Sequence, residues 1–175
     1  MPDRRFSHLD EQGRAHMVDV LGKPETSRRA VAHAIVHLTP AVVRQIRAGG
    51  TRKGEVLAVA RVAGIQAAKD TARLIPLCHP LPLTSVAVAF APRGRAAIEV
   101  VGTAAVTGRT GVEMEALTAT AVAALTIYDM VKSACRGATI TDLELLEKDG
   151  GRSGAWRRPA ARATARSSRR RARSA

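Results

Sequence analysis

Hydrophobic positions along the chain change period several times, and each change marks an element. Residues 30–38 form a run rich in Val, Ile and Ala that reads as a strand, ending at Thr39-Pro40. Thr at that place caps a helix and Pro suits its first turn, so a short helix is expected over about 40–48, closed by Gly49-Gly50. From Gly54 the apolar residues Val56, Leu57, Ala60, Ala63, Ala67 and Leu74 recur at helical spacing until Pro76. Alternation then takes over in 83–91 and 96–106, separated by Pro92-Arg93-Gly94, and predicts a β-hairpin. After the turn 108–111, Met114, Leu117, Ala121, Ala124, Tyr128 and Val131 repeat every three or four residues, which predicts a long helix to about Ala134. Residues 139–146 alternate again as a last strand and run into the glycine-rich loop Lys148-Asp-Gly-Gly-Arg-Ser-Gly. Before all this, residues 1–27 are polar and punctuated by Gly13, Gly22 and Pro24, with Met17-Val-Asp-Val as the one candidate strand of an irregular arm.

The resulting order, β-α-β-β-α-β, is that of a ferredoxin-like α+β subunit, an antiparallel sheet covered by helices on one face. The other sheet face carries many apolar positions, and an oligomer would bury them. We divide the chain into an arm at 1–27, a ferredoxin-like domain at 28–156 and an arginine-rich tail at 157–175 that reads as disordered.

Composition narrows this picture. With 46% hydrophobic and only 2% aromatic residues, the core must be built from Ala, Val, Leu and Ile. No unbroken apolar run reaches the roughly 20 residues that cross a bilayer, and no apolar signal core follows Met1-Pro2, so a cytoplasmic protein is expected. Cys78 and Cys135 form no CxxC pair and complete no four-ligand zinc set, which argues against structural zinc and, in a reducing compartment, against a disulfide. The net charge of +13 invites a nucleic-acid reading, but eight arginines lie in 157–175, which holds no acid. The remainder, 20 basic against 15 acidic residues, has an excess of only five, suited to an enzyme for a phosphorylated metabolite. The tail has no aromatic residue for base stacking, so non-specific, salt-sensitive contact with nucleic acid is the most it implies.

Several residues carry candidate chemistry. In Ile75-Pro-Leu-Cys-His-Pro-Leu-Pro the prolines stiffen a loop that holds Cys78 and His79. His79 reads either as a phosphate or proton-transfer group or as a loop histidine satisfied by backbone, and Cys78 as a small buried hydrophobe rather than a nucleophile. Glu113 and Glu115 open the long helix, where the helix dipole alone accounts for them, or where they accept N–H groups of a purine-like ligand. Asp129 and Lys132, three residues apart on that helix, are a surface ion pair or an acid/base pair. Lys148 and Arg152 flank Gly150-Gly151 as a candidate phosphate grip, and Arg28, Lys53 and Lys69 are cations that spacing cannot rank. Glu115 and Asp129 lie roughly 21 Å apart along one helix, so a site using both has to join the start of this helix in one subunit to its end in another.

Taken together, Lys53-Gly-Glu-Val-Leu-Ala-Val-Ala-Arg-Val-Ala-Gly-Ile, Leu74-Ile-Pro-Leu-Cys-His-Pro-Leu-Pro, Gly111-Val-Glu-Met-Glu-Ala-Leu-Thr-Ala, Ala123-Ala-Leu-Thr-Ile-Tyr-Asp-Met and Leu146-Glu-Lys-Asp-Gly-Gly-Arg-Ser-Gly resemble the cyclic pyranopterin monophosphate synthase family. The resemblance spans about residues 6–156, including the opening His8-Leu-Asp-Glu-Gln-Gly. It implies a homohexamer arranged as a trimer of dimers with active sites at subunit interfaces. It also implies a lyase of molybdenum cofactor biosynthesis that converts 3′,8-cyclo-7,8-dihydro-GTP, supplied by a radical S-adenosylmethionine GTP 3′,8-cyclase, to cyclic pyranopterin monophosphate and pyrophosphate. By resemblance Asp129, Lys132 and Lys53 are catalytic. Leu77, Cys78, His79, Glu113, Met114 and Glu115 bind substrate, with Arg28, His79 and Lys148 facing the triphosphate. No redox cofactor or protein-bound metal is implied, though magnesium can accompany the phosphates. Ala34, Glu55, Gln66 and Asp70 depart from the usual family residues, and none is a proposed catalytic group.

Overall fold

A computed structural model describes residues 8–10, 12–49 and 55–159. Strand β1 spans Thr26–His37 and is followed by helices α1 (Pro40–Arg47), α2 (Val56–Lys69) and α3 (Thr71–Leu74). The hairpin is β2 (Ser85–Pro92) and β3 (Ala97–Gly108), the long helix is α4 (Glu113–Val131), and β4 (Thr139–Asp149) and a short β5 (Trp156–Arg157) complete the chain order. The cap expected at Thr39 is present: its Oγ1 accepts from the Val42 N–H at 3.4 Å, with Pro40 in the first turn.

Three expectations need correction. The helix foreseen from residue 54 to Pro76 is divided at Asp70, whose backbone (φ −96°, ψ 7°) leaves the α-helical path. There Asp70 accepts a 2.9 Å hydrogen bond from the Gln66 side chain and lies 3.7 Å from Arg73, local bonds that compete with helix continuation. Met17–Val20 forms no strand, because it meets no strand edge and Asp19 closes a turn by accepting the Leu21 N–H at 2.8 Å. Strand β1 starts at Thr26, earlier than its hydrophobic run, because β3 continues to Gly108 and offers polar Thr26–Arg29 a pairing partner.

The sheet order is β2-β3-β1-β4-β5, antiparallel throughout, so the four main strands have the ferredoxin-like arrangement and β5 extends the β4 edge. Ala30, Ala32, Ala34 and Val36 of β1 and Ile98, Val100, Ala104 and Val106 of β3 form one face, buried under the helices. The departure Ala34 sits in this core, fully buried. Across the other face run the ion pairs Arg93–Glu99 at 3.6 Å and Arg29–Glu147 at 2.5 Å, with His33 Nδ1 and Glu99 Oε1 hydrogen-bonded at 2.9 Å. Val31, Ile35 and Val101 lie among them, so this face is more ionic than its apolar count suggested. The helical layer in turn exposes Val59, Val62 and Leu125.

By length and composition α4 would suffice to cross a membrane, yet Ala116, Ala119, Ala123, Ala124, Ile127 and Val131 are buried, and α4 packs on the sheet and α2. Close packing without aromatic residues depends on missing side chains. A Cβ on Gly102 would come within 2.8 Å of the Ala116 carbonyl, and one on Gly64 within 2.7 Å of the Ala119 carbonyl. We therefore expect Gly102→Ala to cost about 1–3 kcal/mol of unfolding free energy in denaturant titration, since backbone must shift to admit the methyl group.

Candidate active site

The sheet end beneath the start of α4 holds the site. Thr26, Arg28 and Ala30 alternate onto the helix-side face of β1, and Lys148 of β4 is paired with Ala30, so three polar groups end up under the α4 N-terminus. They line a cavity of about 660 Å³ together with Lys23, Arg29, Arg109, Glu113 and the loop 149–153. Arg28 is fixed by donating from Nε to the Gly108 carbonyl at 2.9 Å and from Nη2 to the Arg109 carbonyl at 3.1 Å. Its guanidinium lies against Gly151, where any Cβ would collide with it, and a Cβ on Gly150 would strike the Ser27 carbonyl. Both glycines also have positive φ, +93° and +74°, so the loop needs glycine for conformation and for space. Lys148 donates to Glu113 Oε1 at 2.8 Å, a half-buried pair that neutralises one of the cavity's cations.

A second cavity of about 470 Å³ adjoins the first, sharing Lys23, Thr110, Gly111 and Glu113. Its remaining wall includes Leu77, Cys78, His79, Met114 and Glu115. The proline-stiffened loop and the first turn of α4 therefore meet, as neither segment alone could show. Glu115 is only 4% exposed. Burial lifts its carboxyl to about 7, opposed by a hydrogen bond to its own backbone and reinforced by the charge of Glu113. Cys78 is also pushed up, first by burial and then by Glu115, so its sulfur is held as a thiol, a poor nucleophile. Both cysteines are free.

The Glu115 carboxyl is protonated in the folded chain at pH values where the unfolded chain, with an ordinary value of 4.5, is already ionised. Its stabilising contribution is thus complete below about 4.5 and is lost as pH rises through about 7. Glu115→Gln should then be more stable than the parent at pH 8, by at most about 3 kcal/mol, and indistinguishable from it near pH 4 in thermal unfolding.

Asp129 and Lys132 lie at the opposite end of α4, exposed, with Lys132 Nζ donating to Asp129 Oδ1 at 2.5 Å. That hydrogen bond, more than the accompanying charge attraction, raises the Lys132 pKa and holds it as an ammonium. The pair is roughly 21 Å along the helix from Glu115, so one chain does not bring the two groups together. Lys53 lies outside the described residues. Lys69 is exposed in the last turn of α2, and Arg152 lines the first cavity.

The sequence reading missed Lys23, Thr26 and Arg109. Nothing in their local pattern marks them, because Lys23 comes from the irregular arm and Thr26 and Arg109 become neighbours only through the pairing of Thr26 with Gly108. Among the described residues no group of three or more His, Cys, Asp or Glu side chains is placed to hold a metal.

An α+β subunit with a cationic, glycine-lined cavity joined to a carboxyl-bearing pocket defines a class, an enzyme for a small molecule carrying phosphate. Within that class the chain belongs to the MoaC family, whose model matches residues 17–151. It is similar to a protein of Thermomicrobium roseum named cyclic pyranopterin monophosphate synthase, 59% identical over 154 residues that cover 87% of this chain and 93% of the relative.

Proposed function

We propose that this chain is a lyase of molybdenum cofactor biosynthesis that converts 3′,8-cyclo-7,8-dihydro-GTP to cyclic pyranopterin monophosphate with release of pyrophosphate. One observation carries the reading: a cationic, glycine-lined cavity adjoins a pocket lined by Glu113 and Glu115, as a triphosphate attached to a purine-derived ring requires. Family membership and the 59% identical relative support it independently.

The reaction opens the guanine-derived ring, recloses it as a pterin and bonds a sugar-derived hydroxyl oxygen to the α-phosphorus. The bond to the β-phosphate breaks and pyrophosphate leaves with its electron pair. Substrate and products balance without an oxidant, so the protein has to move protons and neutralise a leaving anion. In our reading Arg28, His79 and Lys148 hold the triphosphate, and Leu77, Cys78, Glu113, Met114 and Glu115 hold the ring. Asp129 takes a proton and the Lys132 ammonium supplies one, with Lys53 assisting. Magnesium can accompany the phosphates; no redox cofactor takes part.

Because Asp129 is remote from the cavity in its own chain, we assign it to the cavity of a neighbouring subunit, within a homohexamer built as a trimer of dimers. We place the enzyme in the cytoplasm, downstream of a radical S-adenosylmethionine GTP 3′,8-cyclase. The arginine-rich tail, whose first residue Arg157 pairs with β4 as part of β5, is assigned at most non-specific contact with nucleic acid. The deciding experiment is incubation with the cyclised GTP substrate. Pterin product and pyrophosphate in equal amounts are expected; substrate recovered intact by mass spectrometry would overturn the reading.

A further inference from the structure

Many arginines of this fold are engaged: Arg29 and Arg157 meet Glu147, Arg93 meets Glu99, Arg158 meets Glu144, and Arg28 and Arg61 donate to backbone carbonyls. One cavity departs from this pattern. About 300 Å³ in volume, it lies between α1 and the β2–β3 turn and is lined by Pro40, Val43, Arg44, Arg47, Gly94 and Arg95. Arg44 and Arg47 stand three residues apart on one face of α1, beside the buried Val43. The end of β1 is tied to the turn by the Leu38 N–H, which donates to the Ala96 carbonyl at 2.7 Å, and Gly94 reverses the chain with φ +64°. Arg95 is thereby set against α1, while Arg93 leaves for Glu99 on the outer sheet face. Among the described residues no carboxylate lies within ion-pair distance of Arg44, Arg47 or Arg95, and neither 37–54 nor 85–98 contains an acidic residue. The α1 dipole accounts for cations in that helix's last turn, but Arg95 comes from outside the helix.

We propose that Arg44, Arg47 and Arg95 form a binding site for a compact polyphosphate anion the size of pyrophosphate, separate from the active cavity. The two cavities lie at opposite ends of β1, which runs from Thr26 to His37, roughly 35 Å apart at about 3.3 Å per residue. A concave surface lined by one sign of charge concentrates its field, so an anion gains more there than on a mixed surface. Guanidinium groups match phosphate oxygens two at a time, and three of them can hold several oxygens together. Three cations outmatch a single phosphate and suit the higher charge of two linked ones. The lining also limits the ligand, because it has no aromatic ring to stack a base and no carboxylate or amide side chain to read one. Recognition therefore stops at the phosphate oxygens. The assignment rests on this cavity alone and goes beyond the functional reading above.

The test uses the full chain and inorganic pyrophosphate as probe, titrated while the methyl NMR signals of Val43 are followed. Those signals should move on titration in the parent and equally in Arg28→Ala, which alters only the distant cavity. Arg95→Gln should weaken the response about tenfold, and Arg44→Gln combined with Arg47→Gln about a hundredfold. Arg95→Lys should lose less than Arg95→Gln, since it keeps the charge but not the paired donors. All three arginines are exposed, so the melting temperatures of these variants should stay at the parental value. GTP and ADP should bind here no more tightly than pyrophosphate, and sulfate more weakly. Val43 signals that stay still, or that move alike in the parent and in the variant with all three arginines changed to Gln, would overturn the site. A nucleotide bound about tenfold more tightly than pyrophosphate, or sulfate bound equally well, would overturn the choice of ligand. Val43 responds to binding and not to turnover, so each outcome is read whether or not the chain forms pterin.

Discussion

Asp129→Asn is expected to lower pterin formation by about a thousandfold or more, the scale of a lost general acid–base group, while the melting transition stays in place. The amide has nearly the size of the carboxylate but cannot accept and carry the proton. Stability should survive because the Asp129 and Lys132 side chains are 60% and 56% exposed, and solvent screens exposed pairs of this kind so that they add little to folding. Loss of the carboxylate should also let the Lys132 pKa fall, since the hydrogen bond that Lys132 donates to Asp129 is the main cause of its elevation. A change confined to the proton-transfer step lowers kcat and leaves KM nearly unaltered. Turnover within tenfold of the parent would remove Asp129 from the mechanism. Unfolding would be equally informative, since it would make the residue structural.

Mixed oligomers should recover what each parent lacks. An Asp129→Asn chain and an Arg28→Ala chain, each nearly inactive alone, are expected to regain about a quarter of full activity when co-expressed in equal amounts, if each site draws Arg28 from one chain and Asp129 from another. Half of the sites then have an intact Arg28, and half of those an intact Asp129. The expectation follows from the separation of roughly 21 Å along α4, too long for one compact substrate, and from cavities that lie wholly at the other end of the helix. Different affinity tags on the two chains allow doubly purified hybrids to be assayed against each parent. Hybrids as inactive as both parents would show that each chain builds its own site, and Asp129 would then need another role.

The arrangement of elements was legible in the sequence because its causes are local. Thr39-Pro40 caps and opens α1, alternation over 83–91 and 96–106 announces the hairpin, and three- and four-residue spacing from Met114 to Val131 marks α4. Recurrence of these signals in β-α-β-β-α-β order left few ways to bury the apolar faces, and the observed strand order is the ferredoxin-like one. The family was legible for another reason, the wording of several separate motifs in a fixed order.

What the sequence left open was settled by pairing register and by side chains that meet across distance. No local pattern foretold that Asp70 would divide a helix, that the outer sheet face would carry ion pairs, or that Met17–Val20 would stay irregular. Glu113 could be read as a dipole-favoured acid or as a ligand group, and only the approach of Lys148 from β4, 35 residues later, gave it a partner. The cavity itself is a tertiary object: Lys23, Thr26 and Arg109 belong to an arm, a strand end and a turn, with no shared periodicity. Periodicity is set by each backbone's own repeat and so survives in one dimension. A polar site is set by where strand ends and helix termini converge, and that convergence exists only once the hydrophobic core has closed.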